Sequence, residues 1–282
     1  TMADAEEQSP PAPKAGRNLP AAIGIGIVLG EAVVVSLFTE KWVFVALVIL
    51  MIMAAVFELA RALAGTAVAV PRIPLMVGSA AVLVAAYHSG TEALVVATLL
   101  LVVAAGVWSS VTDGLDKLAS AASAVLIAAY VSFLAGFAIL LVIPDDGPRR
   151  VVALIATVVC SDTGGYAVGV FLGKHPMAPT VSPKKSWEGF AGSVSACVLC
   201  GGLLFPLTLH AAWWQGVVFG LAIVVAATIG DLSESLVKRD LGLKDMGHLL
   251  PGHGGVMDRL DSQLLAAPVA WALLTVWVPW PT

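Results

Sequence analysis

Charged side chains are scarce in this sequence, and their scarcity excludes an ordinary soluble domain. Asp, Glu, Lys and Arg together make up 12% of the 282 residues, whereas hydrophobic residues make up 59%. Average soluble domains carry about 25% charged residues. The mean hydropathy is +0.94, which indicates a chain that lies mostly in lipid.

Cysteine is rarer still, and its three residues all fall inside apolar runs: Cys160, Cys197 and Cys200. The last two match the C-x-x-C pattern, but neither a second cysteine pair nor a nearby histidine completes a zinc site. Small buried thiols are the expected interpretation. The sequence also lacks a Walker A motif and an H-E-x-x-H motif, so neither of these signatures explains the chain.

The apolar runs predict an all-α fold: a polytopic membrane bundle of about nine transmembrane helices. A bilayer core about 30 Å thick needs roughly 20 apolar residues per helix. Only helices and closed barrels satisfy their backbone hydrogen bonds in lipid, and continuous runs favour helices over alternating strands. The predicted spans are residues 19–38, 42–64, 73–88, 91–110, 118–142, 149–172, 189–209, 213–230 and 262–279.

The polar segments divide the chain into three predicted regions. Residues 1–17 are polar and rich in proline and alanine, which predicts a disordered cytoplasmic tail. Residues 18–148 are expected to form the N-terminal transmembrane helices. Residues 149–282 are expected to form a catalytic transmembrane region, because the polar interruptions of the apolar runs lie there.

The distribution of lysine and arginine predicts the orientation. If the N-terminus is inside and nine spans follow, twelve of the fifteen basic residues fall on one side. The three others are Lys41, Arg149 and Arg150. Basic residues accumulate on the cytoplasmic side of membrane proteins. We therefore expect a cytoplasmic N-terminus, a C-terminus outside, and a cytoplasmic location for the polar segments of the second half.

One segment gathers the charge that the rest of the chain lacks. Ten of the thirty-four charged residues lie within residues 231–261. If the eighth span continues as a helix, residues spaced by three or four share one face. That face would carry Asp231, Glu234, Ser235 and Lys238. A glycine-rich turn around His253 follows, and Asp258 and Asp261 come next at the mouth of the ninth span.

Carboxylates that converge near a membrane surface repel one another, and a hard divalent cation neutralises them. Magnesium prefers one or two carboxylates together with substrate phosphates and water. Four basic residues of the same segment could bind the remaining phosphate charge: Lys238, Arg239, Lys244 and Arg259. This combination predicts a membrane-embedded phosphate-transfer site that faces the cytoplasm.

Two further polar interruptions precede this segment. Asp162 lies inside the sixth span, where a carboxylate indicates a functional site or a structural hydrogen bond to a neighbouring helix. The glycine series at Gly165, Gly169 and Gly173 predicts a close approach of another helix. The loop over residues 182–189 offers adjacent lysines to phosphate oxygens, although topology alone also favours lysines there.

A charged pair in the first half has a simpler interpretation. Glu58 and Arg61 lie three residues apart near the end of the second span. Residues at this spacing are neighbours on a helix surface. The pair is therefore predicted to be an ion pair at the membrane interface.

Together these segments resemble the phosphatidate cytidylyltransferase (CDP-diacylglycerol synthase) family. The long pattern S-x-x-K-R-x4-K-D, continued by H-G-G-x-x-D-R-x-D, is matched in order and spacing. The matching residues are Ser235, Lys238, Arg239, Lys244, Asp245, His253, Gly254, Gly255, Asp258, Arg259 and Asp261. The stretches 162–169 and 182–189 also look like the family, with Gly165 where alanine is common. The resemblance covers residues 150–262 by motif.

The resemblance implies that CTP and phosphatidate react to give CDP-diacylglycerol and pyrophosphate. It implies a Mg²⁺-containing centre held by Asp231 and Asp258, with a monovalent cation such as K⁺ as an optional second ion. The implied catalytic residues are Asp231, Asp258, Lys238, Arg239 and Asp261. The implied substrate-binding residues are Asp162, Ser182, Lys184, Lys185, Ser235, Lys244, His253, Gly254, Gly255 and Arg259.

The implied partners are the two substrates, the lipid bilayer and a second copy in a homodimer, with no nucleic acid. The expected location is the bacterial plasma membrane. Two alternatives stay open on the sequence alone. A secondary transporter or ion channel would suit Asp162 and the glycine-rich helices. Another membrane nucleotidyl- or phosphotransferase, acting on isoprenoid-type lipid phosphates, would suit the same charged segment.

Overall fold

The structure is a computed structural model that describes residues 19–64, 66, 68–111, 116–247, 249 and 254–278. The predicted tail over residues 1–17 and the predicted substrate-binding residue His253 lie outside the described residues. The described chain forms eight helices and one short pair of strands. The helices are α1 (Leu19–Thr39), α2 (Lys41–Leu63), α3 (Arg72–Val111), α4 (Lys117–Val142), α5 (Gly147–Leu172), α6 (Trp187–Leu209), α7 (Trp213–Asp240) and α8 (Met257–Trp277).

The all-α membrane architecture is confirmed. Seven helices of the described residues, α2 to α8, are long and apolar enough to cross a bilayer, and a shorter apolar helical stretch covers Gly30–Thr39. Two helices contain π-helical turns, at Ala128–Phe133 within α4 and at Phe205–Leu209 at the end of α6. The total of nine spans and the cytoplasmic N-terminus stay predictions.

The 40-residue α3 is broken at Gly90, whose backbone is not helical (φ 71°, ψ −151°). A straight helix of that length would measure about 60 Å, twice the thickness of a bilayer core. A methyl group placed on Gly78 would lie 3.4 Å from Cγ of Leu101, although a straight helix would hold these residues about 34 Å apart. The helix therefore folds back on itself, which accounts for the two spans predicted at 73–88 and 91–110.

The second half of the chain is built on close contacts between helix backbones. The most extensive helix–helix contacts join α5 to α6, α6 to α7 and α7 to α8. A methyl group on Gly189 would lie 3.0 Å from the carbonyl oxygen of Gly165 and 3.3 Å from Cα of Gly169. In lipid, small residues allow this approach and van der Waals packing stabilises it. The helix approach predicted from Gly165 and Gly169 is confirmed.

The two helices that flank the charge-rich segment differ from their predicted limits. α7 continues to Asp240, well beyond the predicted end at residue 230, and so carries Asp231 to Lys238 as the helical spacing required. α8 begins at Met257, five residues before the predicted start at residue 262. Its first turns contain the charged residues Asp258, Arg259 and Asp261, which precede the apolar run from which the span was predicted.

The segment between α5 and α6, predicted as a loop, contains two short strands. β1 (Pro176–Ala178) pairs antiparallel with β2 (Ser182–Ser186), with Pro176 opposite Ser186. This hairpin is the one piece of sheet in the described residues. It turns the chain back from the end of α5 to the start of α6, and its second strand carries the two adjacent lysines.

One buried charged residue, Glu58, departs from its sequence-based interpretation. Glu58 is 2% exposed, and the described residues show no ion pair between it and the exposed Arg61. Its carboxylate accepts a hydrogen bond from the backbone N–H of Met257 instead, at 2.9 Å. The prediction of an interfacial pair is wrong because tertiary packing places a better partner, a helix terminus, within reach of Glu58.

Arg150, assigned by the charge distribution to the side opposite the cytoplasm, is 1% exposed. Its guanidinium donates to Asp146 Oδ1 at 2.8 Å, to the carbonyl of Leu274 at 3.2 Å and to that of Val278 at 2.6 Å. The last carbonyls of a helix have no partner within the helix and carry partial negative charge. Arg150 therefore satisfies the C-terminal end of α8 from the first turn of α5.

The contact between α6 and α7 gives a stability prediction with a built-in control. A methyl group on Gly201 would lie 2.9 Å from the carbonyl carbon of Gly216, whereas one on the adjacent Gly202 would meet Val217 Cγ2 at an ordinary 3.5 Å. Gly201→Ala should lower the free energy of unfolding by about 1–3 kcal/mol. Gly202→Ala should leave it unchanged or raise it by up to about 1 kcal/mol, because alanine favours the helix.

Thermal unfolding of the purified variants in one detergent would measure both changes. Equal midpoints for Gly201→Ala and Gly202→Ala would contradict the close approach of α6 and α7.

Candidate active site

A polar cavity of about 520 Å³ lies where α5 ends, α6 begins, α7 ends and α8 begins, with β2 along one side. All four helix ends therefore belong to one side of the bundle. Eight residues predicted as site residues line this cavity: Asp162, Lys184, Lys185, Asp231, Lys238, Asp258, Arg259 and Asp261. Residues from 162 to 261 along the chain meet here because the hairpin and the loop after α7 each return the chain to the same end.

One wall of the cavity is a face of α5. Asp162, Gly165, Tyr166 and Gly169 line it, at the spacing of three and four residues that places side chains on one helix face. The glycines that let α6 approach α5 leave this wall without bulky side chains. The carboxylate of Asp162 consequently faces an open space and not another helix.

The hairpin is held over the cavity at its base and along its second strand. Glu188 of α6 accepts hydrogen bonds from the backbone N–H groups of Lys174 and His175, at 3.1 and 3.2 Å, and its other oxygen lies 2.5 Å from His175 Nδ1. The hydroxyl of Ser186 accepts from Gly189 N and caps α6. Lys185 forms an ion pair with Asp231, which joins β2 to α7.

Asp258 accepts hydrogen bonds from three donors. Its Oδ1 accepts from Lys238 Nζ at 2.9 Å, and its Oδ2 accepts from Gly255 N at 2.7 Å and from Met246 N at 3.0 Å. The side chain is 8% exposed. Gly254 has a positive φ of 81°, which glycine adopts without strain, and this turn brings the N–H of Gly255 to the carboxylate.

Glu234 lies behind the cavity, one turn of α7 after Asp231. Its side chain is 1% exposed, and its nearest cation is Lys238 Nζ at 3.4 Å. A second carboxyl group, that of Asp261, lies beside it. A buried carboxylate needs compensating charge, and Lys238 supplies it to Glu234 as well as to Asp258.

The other described residues that were predicted for the site are not part of the cavity lining. The hydroxyl of Ser235 donates to Asp231 Oδ1 at 3.3 Å, and Gly254 and Gly255 form the turn that holds Asp258. Ser182 begins β2. Arg239 is exposed and its Nε donates to the carbonyl of Val181 at 3.2 Å, which ties the hairpin to α7. Lys244 is exposed on the loop after α7.

Thr228 and Asp245 are among the cavity-lining residues that were not predicted as site residues. Thr228 precedes Asp231 by three residues, so helical spacing would have found it. Asp245 belongs to the matched pattern and follows Lys244, but local sequence does not indicate which of the two points inward. In the structure Asp245 lines the cavity, and the N–H of the next residue, Met246, donates a hydrogen bond to Asp258.

The charges of the cavity fit a divalent cation and a phosphate chain. Its lining contains five carboxylates and four cationic side chains. Among the described residues no group of three or more His, Cys, Asp or Glu side chains forms a complete metal site. Magnesium does not require one, because it keeps water ligands and takes its other oxygens from one or two carboxylates and from substrate phosphates.

Comparison with known proteins identifies the family. Residues 20–277 match the model of the cytidylyltransferase family, and the chain belongs to that family. It is 41% identical over 280 residues to the phosphatidate cytidylyltransferase of Mycobacterium leprae (strain TN), covering 94% of this chain and 90% of the relative. It is 39% identical over 276 residues to that of Mycobacterium bovis (strain ATCC BAA-935 / AF2122/97), covering 93% and 90%.

Another relative matches about half of the chain. The phosphatidate cytidylyltransferase of Helicobacter pylori (strain ATCC 700392 / 26695) is 44% identical over 139 residues, which is 49% of this chain and 52% of the relative. The family resemblance inferred from the charged segments is confirmed.

The adjacent residues Lys238 and Arg239 give a matched test of the site geometry. Lys238→Met should lower the free energy of unfolding by about 3 kcal/mol, because it leaves the buried carboxylates of Asp258 and Glu234 without their cation. Arg239→Met should change it by no more than about 0.5 kcal/mol, because Arg239 is exposed. Denaturant unfolding of the purified proteins would measure both.

A double variant checks that the lost ion pair is the cause. Lys238→Met combined with Asp258→Asn should be less destabilised than the sum of the two single variants. Strict additivity, or equal losses for Lys238→Met and Arg239→Met, would contradict the pairing of Lys238 with Asp258.

Proposed function

We propose that this chain is a membrane-embedded enzyme that transfers the cytidylyl group of CTP to phosphatidate, giving CDP-diacylglycerol and pyrophosphate in phospholipid biosynthesis. The observation that carries the proposal is the single cavity that gathers carboxylates and cations at one end of an apolar bundle. Relatives that match nearly the whole chain bear the name of this activity. Membership of the cytidylyltransferase family favours the enzyme over the transporter.

The surroundings of Arg259 support a substrate that is part lipid and part phosphate. Arg259 lines the polar cavity and also a second cavity of about 170 Å³. Apolar residues of α1, α2, α4, α5 and α8 form most of the second cavity. A phosphomonoester on a diacylglycerol has these two requirements, since its phosphate needs a cation and its acyl chains need apolar surface.

The residues of the cavity suggest how the transfer proceeds. Lys184, Lys185, Lys238 and Arg259 provide the positive charge that would bind the triphosphate and the lipid phosphate. An oxygen of the lipid phosphate attacks the α-phosphorus of CTP in line, the bond to the β-phosphate oxygen breaks, and pyrophosphate leaves with its electrons. The lipid phosphate is already anionic near neutral pH, so positioning and electrostatic stabilisation supply most of the rate.

The same residues support a role for Mg²⁺, with a monovalent cation such as K⁺ beside it. Asp231 and Asp258 would hold the magnesium ion from two helices, α7 and α8. A bound Mg²⁺ would neutralise phosphate charge and polarise the phosphoryl oxygens. Lys185 pairs with Asp231 and Lys238 with Asp258, so each carboxylate already has a cation beside it that could turn to a phosphate.

The expected setting of the enzyme follows from the proposed substrates. CTP is soluble and phosphatidate lies in the bilayer, so the cavity must lie at a membrane surface that CTP reaches. We place it in the bacterial plasma membrane with the cavity facing the cytoplasm, in agreement with the distribution of basic residues and with the bacterial relatives. A homodimer is part of the same proposal.

Transfer of label from nucleotide to lipid tests the activity directly. Purified protein in detergent, supplied with Mg²⁺, phosphatidate and CTP labelled on the α-phosphate, should move the label into the lipid phase. Asp258→Asn should lower the rate by at least about 100-fold, because a neutral amide removes a charge from the centre of the cavity. Asp145→Asn is the matched control, since Asp145 is an exposed carboxylate whose side chain is 96% accessible before the opposite end of α5.

Three outcomes would contradict the proposal or part of it. Label in an isoprenoid phosphate but not in phosphatidate would move the substrate to the other lipid class. No transfer to any lipid phosphate by folded protein would remove the enzyme function. Full activity of Asp258→Asn would remove Asp258 from the machinery.

Removal of divalent cations tests the metal proposal. Excess EDTA should abolish transfer, and added Mg²⁺ should restore it. Asp231→Asn should raise the Mg²⁺ concentration needed for half-maximal rate by about tenfold or more. Binding of Mn²⁺, measured by electron paramagnetic resonance, should weaken in the same variant; unchanged Mn²⁺ binding would remove Asp231 from the metal site.

A further inference from the structure

Glu58 of α2 reaches the start of the last helix, 199 residues further along the chain. Its Oε2 accepts a hydrogen bond from Met257 N, the first residue of α8, at 2.9 Å. Val256, the residue just before α8, provides no side-chain hydrogen bond that caps the helix. The first N–H groups of a helix lack partners within the helix and carry partial positive charge. Glu58 therefore caps α8 from another helix, with a carboxylate at its positive end.

The loop before α8 is packed directly against this carboxylate. A methyl group on Gly255 would stand 2.5 Å from Glu58 Oε2 and 2.9 Å from Asp258 Oδ2. One on Gly247 would stand 2.7 Å from Glu58 Cγ. The two glycines thus lie in the gap beside Glu58, and no side chain larger than hydrogen fits there without displacing one of the two carboxylates.

Glu58 and Asp258 both bind backbone N–H groups at the start of α8. Gly255 N donates to Asp258 Oδ2 at 2.7 Å. Two residues further on, Met257 N donates to Glu58. These bonds fix how far α8 extends towards the cavity and how it is rotated. Three cavity residues follow in the next turn: Asp258, Arg259 and Asp261. Glu58 itself is not part of the cavity lining.

We infer that Glu58 is a positioning residue for cytidylyl transfer: by capping α8 and supporting the turn at Gly255, it sets the place of Asp258 in the cavity. The inference rests on the proposed function. It also assigns a task to the first half of the chain, because α2 supplies this support and provides no residue of the cavity lining.

The structure says which property of Glu58 should matter. The side chain must be long enough to place an oxygen near Met257 N. Glu58→Gln keeps an oxygen at that distance, so its transfer rate should stay within about tenfold of wild type. Glu58→Asp keeps the charge but is one methylene shorter, and Glu58→Ala removes the acceptor. Both should lower kcat by about 100-fold, the loss expected for a displacement near 1 Å. The KM for CTP should change much less, because the lysines of β2 stay in place.

Arg150 offers the matched control, since it binds the opposite end of the same helix. Arg150→Met should lower the unfolding midpoint in detergent while kcat per folded protein stays within about threefold of wild type. The experiment measures kcat, KM for CTP and the unfolding midpoint for wild type and for the Gln, Asp and Ala variants of Glu58. The comparison of Gln with Asp stands even if Glu58→Ala fails to fold.

The outcomes separate the inference from the proposed function. Loss of kcat in Glu58→Asp with retention in Glu58→Gln supports positioning by reach. Wild-type kcat in Glu58→Asp overturns it. The inference is also overturned if Arg150→Met and Glu58→Asp have the same unfolding midpoint and lose kcat equally. Lower stability alone would then explain both losses. A wild-type protein without transfer activity would instead remove the proposed function.

Discussion

Helix α8 is held at both ends by buried side chains whose charges oppose those of its termini. Glu58 binds the N–H of Met257 at the positive end, and Arg150 binds the carbonyls of Leu274 and Val278 at the negative end. Both residues are almost fully buried. In an apolar bundle, such groups are stable only where they bond to each other or to the backbone. The rest of the site depends on the contact with Glu58, since the first turns of α8, at that end, carry Asp258, Arg259 and Asp261.

The cavity is assembled from pairs that join separate elements. Lys185 with Asp231 connects β2 to α7, and Lys238 with Asp258 connects α7 to α8. Arg239 adds a third connection, from α7 to the turn of the hairpin. The Lys185–Asp231 and Lys238–Asp258 pairs thus neutralise charge and also fix the distance between two elements. Electrostatics and architecture are therefore coupled, and the acids and bases needed for phosphate chemistry also hold the cavity in shape.

Sequence reasoning succeeded where the signal is local and failed where it depends on packing. Helical spacing placed Asp231 and Lys238 on one face, and the charged pattern indicated the family that the comparisons confirmed. The predicted start of α8 is five residues too late because the first turns of the helix are charged. The prediction rested on the apolar run that follows them. Glu58 was assigned to Arg61, its neighbour in sequence, because no local pattern reveals a partner 199 residues away. The hairpin was missed because its strands have three and five residues.

Arg259 lies between a polar cavity and an apolar one, and this position bears on how the reaction responds to its surroundings. One substrate arrives through water, so its supply is a concentration per volume. The other arrives through the bilayer, so its supply is a fraction of the membrane surface. Diluting phosphatidate with inert lipid would then slow the enzyme even when the total amount of phosphatidate is constant. The lipid product stays in the same two-dimensional phase, and only pyrophosphate departs into water.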